Sequence, residues 1–307
     1  MKQIILKNNQ LRFSAFEDGS GPLVLCLHGF PDNYHSYDQQ IPTLVDAGYR
    51  VVVPMMRGYE LQSQPADGDY HLNHMVEDVL TWVDQLGEEK VHLVGHDWGA
   101  VIGYLTANTV PDRLLSLTTF AIPPLQGLSV AIRKNPRQIL LSWYTMFFQL
   151  RGLSDWWVER SDWKFIEKLW HDWSPTWDIP ERTLESIKQT FRQPGVKEAA
   201  LTYYRHSFDS RSAQAKNIKN TMALKTLTPT LAIGGWDDGC MSAKLYDSAA
   251  RPDDFPGGLS VERIRGAGPG RAQVPSMSAK IFPRMISQRT SSLIHRTNRL
   301  QLQHMLA

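Results

Sequence analysis

The sequence predicts an α/β fold: a mostly parallel β-sheet with helices on both faces, interrupted by an inserted helical segment. Short apolar runs typical of buried strands alternate with helical patterns along the chain. The predicted strands are residues 23–27, 49–53, 91–94 and 230–233, with a last strand at 260–264. Residues 74–86 repeat apolar side chains at helical spacing, which predicts a helix between two of these strands.

The alternation stops near residue 125, where a tryptophan-rich segment with helical character begins. Seven of the ten tryptophans fall between Trp143 and Trp177. We therefore predict an α/β core made of residues 1–124 and 216–307, and a helical lid made of residues 125–215. An aromatic lid over a site would enclose an apolar pocket for a small molecule. Most of these rings are nevertheless expected to pack within the lid itself.

Composition argues against several classes of partner. The net charge of +2 favours neither a nucleic acid nor a membrane surface as partner. No apolar stretch reaches the roughly 18 residues of a membrane span, and the first residues are too polar for a signal peptide. The two cysteines suggest no disulfide framework, so we expect a cytoplasmic protein.

The last segment, residues 261–307, differs in composition from the rest of the chain. It holds eight basic residues and one acidic residue, a balance of +7 (8 − 1), and no Trp, Tyr or Cys. The remaining residues therefore carry −5 (25 basic minus 30 acidic). We treat this segment as an atypical basic tail.

The sequence Gly95-His96-Asp97-Trp98-Gly99 lies between a predicted strand and a helical run. This spacing is typical of a nucleophile elbow, in which small residues flank a nucleophile on a tight strand-to-helix turn. A carboxylate is already ionised at neutral pH, so Asp97 could attack a strained carbon–oxygen bond or displace a halide. The attack would leave an alkyl-enzyme ester. The alternative is that Asp97 merely caps the helix.

A second motif, His28-Gly29-Phe30-Pro31, follows the first predicted parallel strand. In elbow-containing folds, the loop at this point and the residue after the nucleophile each supply a backbone N–H to an oxyanion hole. The two donors are predicted to be the amides of Phe30 and Trp98.

With these motifs and Arg57-Gly58-Tyr59, the sequence resembles the epoxide hydrolases of the α/β-hydrolase superfamily over about residues 1–268. The resemblance implies an α/β-hydrolase fold with a cap domain and a small apolar epoxide as substrate, hydrolysed to a vicinal diol. It implies no metal or organic cofactor, and a monomer or homodimer. Haloalkane dehalogenases share the aspartate elbow, so a dehalogenase remains one alternative. A catalytically inert relative is the other.

The resemblance also assigns residues in the lid and around the pocket. Two lid tyrosines polarise the epoxide oxygen in this family, and the matching positions are Tyr144 and Tyr204. Four further residues are predicted to line the substrate pocket: His28, Pro31, Trp143 and Tyr203.

Cleavage of the ester needs a water-activating histidine oriented by a carboxylate. The family's carboxylate matches Asp238, with Asp237 as the near alternative, whereas the family's histidine position holds Pro269. Further along, only His295 and His304 follow. We therefore predict that the first half-reaction is retained and the water step is impaired. A change of reading frame near Gly268 is one hypothesis for the departure, and the nucleotide sequence tests it.

Overall fold

An eight-stranded β-sheet forms the centre of the protein in a computed structural model, which describes residues 1–209 and 212–264. Its order is β1-β2-β4-β3-β5-β6-β7-β8. The pairs β1–β2 and β2–β4 are antiparallel, and all other pairs are parallel. The strands are β1 Lys2–Asn8, β2 Leu11–Asp18, β3 Leu23–Leu27, β4 Arg50–Pro54, β5 Val91–His96, β6 Leu114–Phe120, β7 Thr230–Gly235 and β8 Leu259–Ile264.

Helices cover the sheet, and a run of them is inserted between β6 and β7. The helices of the α/β layer are α1 Ile41–Asp46, α2 Leu72–Gln85, α3 Trp98–Thr109 and α11 Ala243–Ala249. The inserted helices are α4 Leu128–Lys134, α5 Arg137–Leu141, α6 Trp143–Phe147, α7 Leu153–Trp173, α8 Glu181–Phe191, α9 Val196–Ser207 and α10 Ala213–Met222. The predicted fold class, a mostly parallel sheet with an inserted helical region, is confirmed.

The two central strands β3 and β5 are buried along their whole length. This is expected for parallel strands covered by helices on both faces, which read as continuous apolar runs. Their carboxyl ends lead into the two predicted motifs. The sheet thereby brings the loop after Leu27 and the turn after His96 to the same edge.

Both ends of the inserted helical region pack on the α/β layer. Helix α4 packs against α11, and α10 packs against α3, so both ends of the insertion belong to the core surface. The predicted lid boundary at residue 215 falls inside α10. Helix α7 leaves helical geometry at residues 160–163 and contacts α8 and α9.

The predicted basic tail begins within the last described strand. Strand β8 ends at Ile264, so Pro269, His295 and His304 lie outside the described residues. Within the described ranges, no helix combines the length and apolar character that crossing a membrane requires.

Candidate active site

Asp97 sits on a sharp turn between β5 and α3. Its backbone has φ 50° and ψ −118°, a conformation that side-chain-bearing residues rarely adopt. The flanking glycines make the turn possible. A Cβ on Gly95 would overlap the carbonyl oxygen of Gly99, and one on Gly99 would overlap the carbonyl oxygen of Leu27. The turn therefore has the geometry of a nucleophile elbow, with the Asp97 side chain presented at the head of a helix.

Two backbone amides hold the Asp97 carboxyl. The Phe30 N–H donates to Oδ1 at 2.8 Å, and the Trp98 N–H donates as well. Both bonds favour the ionised carboxylate, but burial opposes them and raises the pKa of Asp97 to about 7. The structure thus brings together the predicted nucleophile and both predicted oxyanion donors.

The two lid tyrosines lie side by side near this carboxyl. Tyr144 of α6 and Tyr204 of α9 pack edge to face with ring centroids 5.8 Å apart. The Tyr144 hydroxyl forms a hydrogen bond with Cys240 Sγ at 3.3 Å. The buried Tyr204 hydroxyl interacts weakly with the Trp98 side chain and forms no hydrogen bond of ordinary geometry among the described residues. The negative charge of Asp97 lies close enough to both phenols to raise their pKa values. Burial holds the pKa of each well above 10, so both stay protonated.

Asp238 lies in the loop after β7. Its Oδ1 accepts hydrogen bonds from the backbone N–H groups of Cys240 and Met241, both at 2.7 Å. Its Oδ2 is buried without a partner in the described part of the chain. Burial raises the pKa of Asp238 to about 7, and the nearby charge of Asp97 adds to the effect. Asp237, the alternative, is exposed.

A small cavity adjoins Asp97, with a volume of about 20 Å³. That is room for about one water molecule. Its lining comes from the elbow, the Phe30 loop, the β6 and β7 loops and the lid: Phe30, Pro31, Asp32, His96, Asp97, Ala121, Ile122, Trp170, Trp173, Ser174, Cys240 and Met241.

Three residues that we predicted to line the pocket lie outside this lining. The His28 ring is buried below the loop, where Nε2 accepts from the Met56 N–H at 3.0 Å and Nδ1 faces the Gly29 carbonyl at 3.1 Å. Trp143 is 43% exposed on the outer surface of the lid. Tyr203 points to the core and donates its hydroxyl to the Arg57 carbonyl oxygen at 2.6 Å. Of the four predictions, the cavity includes only Pro31.

Sequence reasoning missed an acid and a histidine that line the cavity. Asp32 is buried, and burial raises its pKa to about 7. Its Oδ2 lies 3.8 Å from His96 Nδ1. The signal was available, because Asp32 follows the Phe30-Pro31 motif and His96 precedes the nucleophile.

Two lid tryptophans were also missed as individual lining residues. Trp170 and Trp173 of α7 face the cavity, and Trp170 Nε1 donates to the Pro31 carbonyl oxygen at 2.8 Å. Their spacing of three residues places them on one helix face, which is a recognisable signal. Seven tryptophans in one segment gave no basis for choosing these two.

The chain belongs to the α/β-hydrolase-fold family, since the model of that family matches residues 22–269. Within the family it is an epoxide hydrolase-like α/β hydrolase. Mouse epoxide hydrolase 4 is 30% identical over 251 residues, which cover 79% of this chain and 67% of that protein. The AB hydrolase superfamily protein YfhM of Bacillus subtilis is 30% identical over 242 residues, covering 78% of this chain and 82% of that one.

Solved structures share the fold. The epoxide hydrolase of Vigna radiata aligns with a TM-score of 0.76 at 24% identity, over 95% of this chain and 98% of that chain. An epoxide hydrolase mutant from Bacillus megaterium aligns with a TM-score of 0.77 at 24% identity, over 91% and 98% of the two chains. At this identity the structural likeness speaks for the architecture alone.

Proposed function

We propose that this protein opens small apolar epoxides through an alkyl-enzyme ester on Asp97. The proposal rests on one observation: the Asp97 carboxyl lies near two kinds of hydrogen-bond donor, backbone amides and tyrosine hydroxyls. Backbone amides of Phe30 and Trp98 hold it from the elbow side. The protonated phenols Tyr144 and Tyr204 lie near it in the lid.

Ring opening would use Asp97 as the nucleophile and the phenols as acids. One carboxylate oxygen of Asp97 forms a bond to a ring carbon, while the Phe30 amide holds Oδ1. The ring carbon–oxygen bond breaks, and its electron pair stays on the epoxide oxygen. The resulting alkoxide accepts a hydrogen bond from each phenol and takes a proton from one of them. Such acid catalysis contributes about 10²–10⁴-fold to the rate.

The hydroxyls of the two tyrosines have different hydrogen-bond partners before substrate binds. The buried Tyr204 hydroxyl has only a weak interaction with the Trp98 side chain, so an epoxide oxygen would give it a stronger hydrogen-bond partner. Tyr144 would exchange its bond to Cys240 Sγ for one to the substrate. Sulfur is a weak hydrogen-bond partner, so this exchange costs little. The cavity holds about one water molecule, and substrate entry therefore displaces lid side chains.

Hydrolysis of the ester would require water to attack the carbonyl carbon. The amides of Phe30 and Trp98 are placed to stabilise the oxyanion that forms there, an effect worth about 3–4 kcal/mol per donor in acyl transfer. Asp238 would orient the water-activating base. The position that holds a histidine in the family is Pro269 in this sequence. We therefore propose that the ester forms readily and is hydrolysed slowly.

A time course with excess aryl epoxide tests both parts of the proposal. We expect an initial phase that consumes about one epoxide per chain, followed by slow diol release. The Asp97→Ala variant should show neither phase. Diol formation in step with epoxide loss would overturn the slow water step. Absence of any consumption by the native sequence would overturn the proposal itself.

The dehalogenase alternative has its own assay. A haloalkane offered to the protein should release little halide. The two phenols would assist the opening of an epoxide ring by donating to its oxygen, and a haloalkane has no such oxygen. Halide release that survives the double change Tyr144→Phe and Tyr204→Phe would favour dehalogenation instead.

A further inference from the structure

A second cluster of ligand-type side chains lies where the lid meets the α/β core, away from the cavity. Asp69 and His71 belong to the loop that leads into α2, and His206 lies in the last turn of α9. One potential ligand atom from each of the three lies within 4.8 Å of those of the other two. A core loop and a lid helix thus bring one carboxylate and two imidazoles to one point.

The two imidazoles face the same carboxylate oxygen. Asp69 Oδ1 lies 2.6 Å from His71 Nδ1 and 3.9 Å from His206 Nδ1. The two rings stack with centroids 4.1 Å apart. The other oxygen, Oδ2, lies 3.2 Å from His74 Nε2, which places a third imidazole at the edge of the cluster.

Hydrogen bonding within the cluster leaves two buried ring nitrogens unsatisfied. His71 is only 9% exposed, and its Nε2 has no hydrogen-bond partner among the described residues. The same holds for His206 Nδ1, which points to the carboxylate from beyond hydrogen-bond distance. Buried polar atoms without partners are rare in native proteins and call for an explanation. An ion on Asp69 Oδ1 would satisfy His206 Nδ1, which is the one of the two that faces this carboxylate.

We propose that Asp69, His71 and His206 bind a divalent transition metal ion, of which Zn²⁺ is the representative case. Two imidazoles and one carboxylate suit zinc and its neighbours in the first transition row. Calcium and magnesium prefer oxygen ligands, so they fit this set poorly. Water would complete the coordination shell.

Ion binding needs small shifts of more than one side chain. Ligand atoms lie about 2.0–2.2 Å from Zn²⁺ and hence about 3.3 Å apart in a tetrahedral site. His206 Nδ1, 3.9 Å from Asp69 Oδ1, must approach it by a fraction of an ångström and tilt out of the ring stack. His71 Nδ1, 2.6 Å from the same oxygen, must move away by a similar amount as the ion replaces their hydrogen bond. Its side chain is 22% exposed and has room for this movement.

The bound ion links a helix of the lid to a loop of the α/β core through its ligands. His206 lies on the same helix as Tyr203 and Tyr204, two residues beyond the second of them. Asp69 and His71 lie on the core side. Binding therefore restrains the carboxyl end of α9 relative to the loop that leads into α2.

Calorimetric titration of the tag-free full chain with ZnCl₂, together with thermal unfolding, tests the site. We expect one ion per chain and a rise in Tm of about 5 °C at a zinc concentration near 100 times Kd. His206→Ala and His71→Ala should each remove most of the binding and the shift. The control is His35→Ala, because His35 forms a similar exposed pair with Asp38 at 3.0 Å but lies outside the cluster.

A Co²⁺ absorption spectrum of the native sequence keeps the test independent of variant folding. Visible bands typical of imidazole-ligated cobalt, abolished by competing Zn²⁺, are the expected result. Absence of these bands, or zinc binding that is equal in the native chain and in the His206→Ala and His71→Ala variants, would overturn the proposal.

Discussion

At the scale of single residues, the Asp97 carboxyl is subject to two opposing influences. The amides of Phe30 and Trp98 stabilise the ionised form, whereas the apolar surroundings favour the protonated form. Because burial is the larger effect, the pKa rises from an ordinary 3.8 to about 7. A carboxylate that is poorly solvated and weakly stabilised in the free protein is a stronger nucleophile than one in water. The cost is that it ionises only near neutral pH.

The pH dependence of alkylation follows from this balance. Protonated Asp97 cannot attack, so the rate of ester formation should rise with pH to a plateau, with a midpoint near 7. No fall is expected up to pH 9, because the pKa values of Tyr144 and Tyr204 lie well above 10. Quenched samples analysed for bound substrate mass give this profile, with circular dichroism as a check on folding. A rate that is unchanged down to pH 5 would contradict the raised pKa.

The same shift predicts that ionised Asp97 destabilises the folded protein at neutral pH. The folded pKa of Asp97 lies above the unfolded value, so its favourable contribution is complete below pH 4 and is lost as pH rises to about 7. Asp97→Asn should therefore increase the free energy of unfolding by a few kcal/mol at pH 8 and leave it nearly unchanged at pH 4. Urea unfolding at both pH values measures the difference. The exposed Asp46→Asn serves as control, and an equal gain at both pH values would refute the linkage.

The lid tyrosines are expected to act on the rate of ring opening. Tyr204→Phe and Tyr144→Phe should each slow epoxide consumption by about 10²-fold, because each removes a proton donor to the epoxide oxygen. Tyr203→Phe is the matched control. The Tyr203 hydroxyl donates to the Arg57 carbonyl oxygen, so it is not available to the epoxide. Single-turnover rates measure the effect. A loss as large in the control as in the other two would show that lid packing, rather than proton donation, is responsible.

At the scale of elements, a buried charged network links the first hairpin, the loop after β4, helix α2 and the lid. Asp78 accepts two hydrogen bonds from the Arg57 guanidinium and one from the Asn8 amide, all at 2.7 Å. Arg57 in turn receives the Tyr203 hydroxyl on its carbonyl oxygen. The Arg57 loop therefore connects the core to α9, the helix that carries Tyr204.

Removal of the central carboxylate should strongly destabilise the fold. Asp78→Ala leaves the buried Arg57 guanidinium without its partner, a change that costs about 3–5 kcal/mol. Glu77→Ala, next to it on α2 but 58% exposed, should cost less than about 1 kcal/mol. Denaturant unfolding of both variants measures the contrast. Equal effects in the two would show that the network contributes little.

Strands and helices could be predicted from the sequence where the apolar residues followed a single clear pattern. Residues 91–94 and 230–233 are short, mostly apolar runs with one polar residue each, and they became β5 and β7. Strand β6 was not predicted, because polar residues interrupt its pattern. Those side chains are satisfied inside the core: Ser116 bonds to His92 at 2.8 Å and Thr119 to Tyr104 at 2.9 Å. Such pairing depends on tertiary contacts that a linear pattern does not contain.

At the scale of the whole molecule, the sheet order explains why distant motifs form one site. Strands β3, β5 and β7 are parallel, so their carboxyl ends meet at one edge. Phe30, Asp97 and Asp238 each follow one of these ends, which made their convergence predictable. The contribution of the lid was less predictable. Which of its rings reach the cavity depends on how α7 packs over the sheet, and that is a property of the folded chain.

The central claim is that Asp97 forms a covalent ester with an epoxide. Intact-protein mass spectrometry after mixing with an aryl epoxide, followed by peptide mapping, tests it most directly. We expect an added mass of one substrate molecule, located on the peptide that contains Asp97 and absent from the Asp97→Asn variant. An adduct on another residue, or an adduct that persists in Asp97→Asn, would show that Asp97 is not the attacking group.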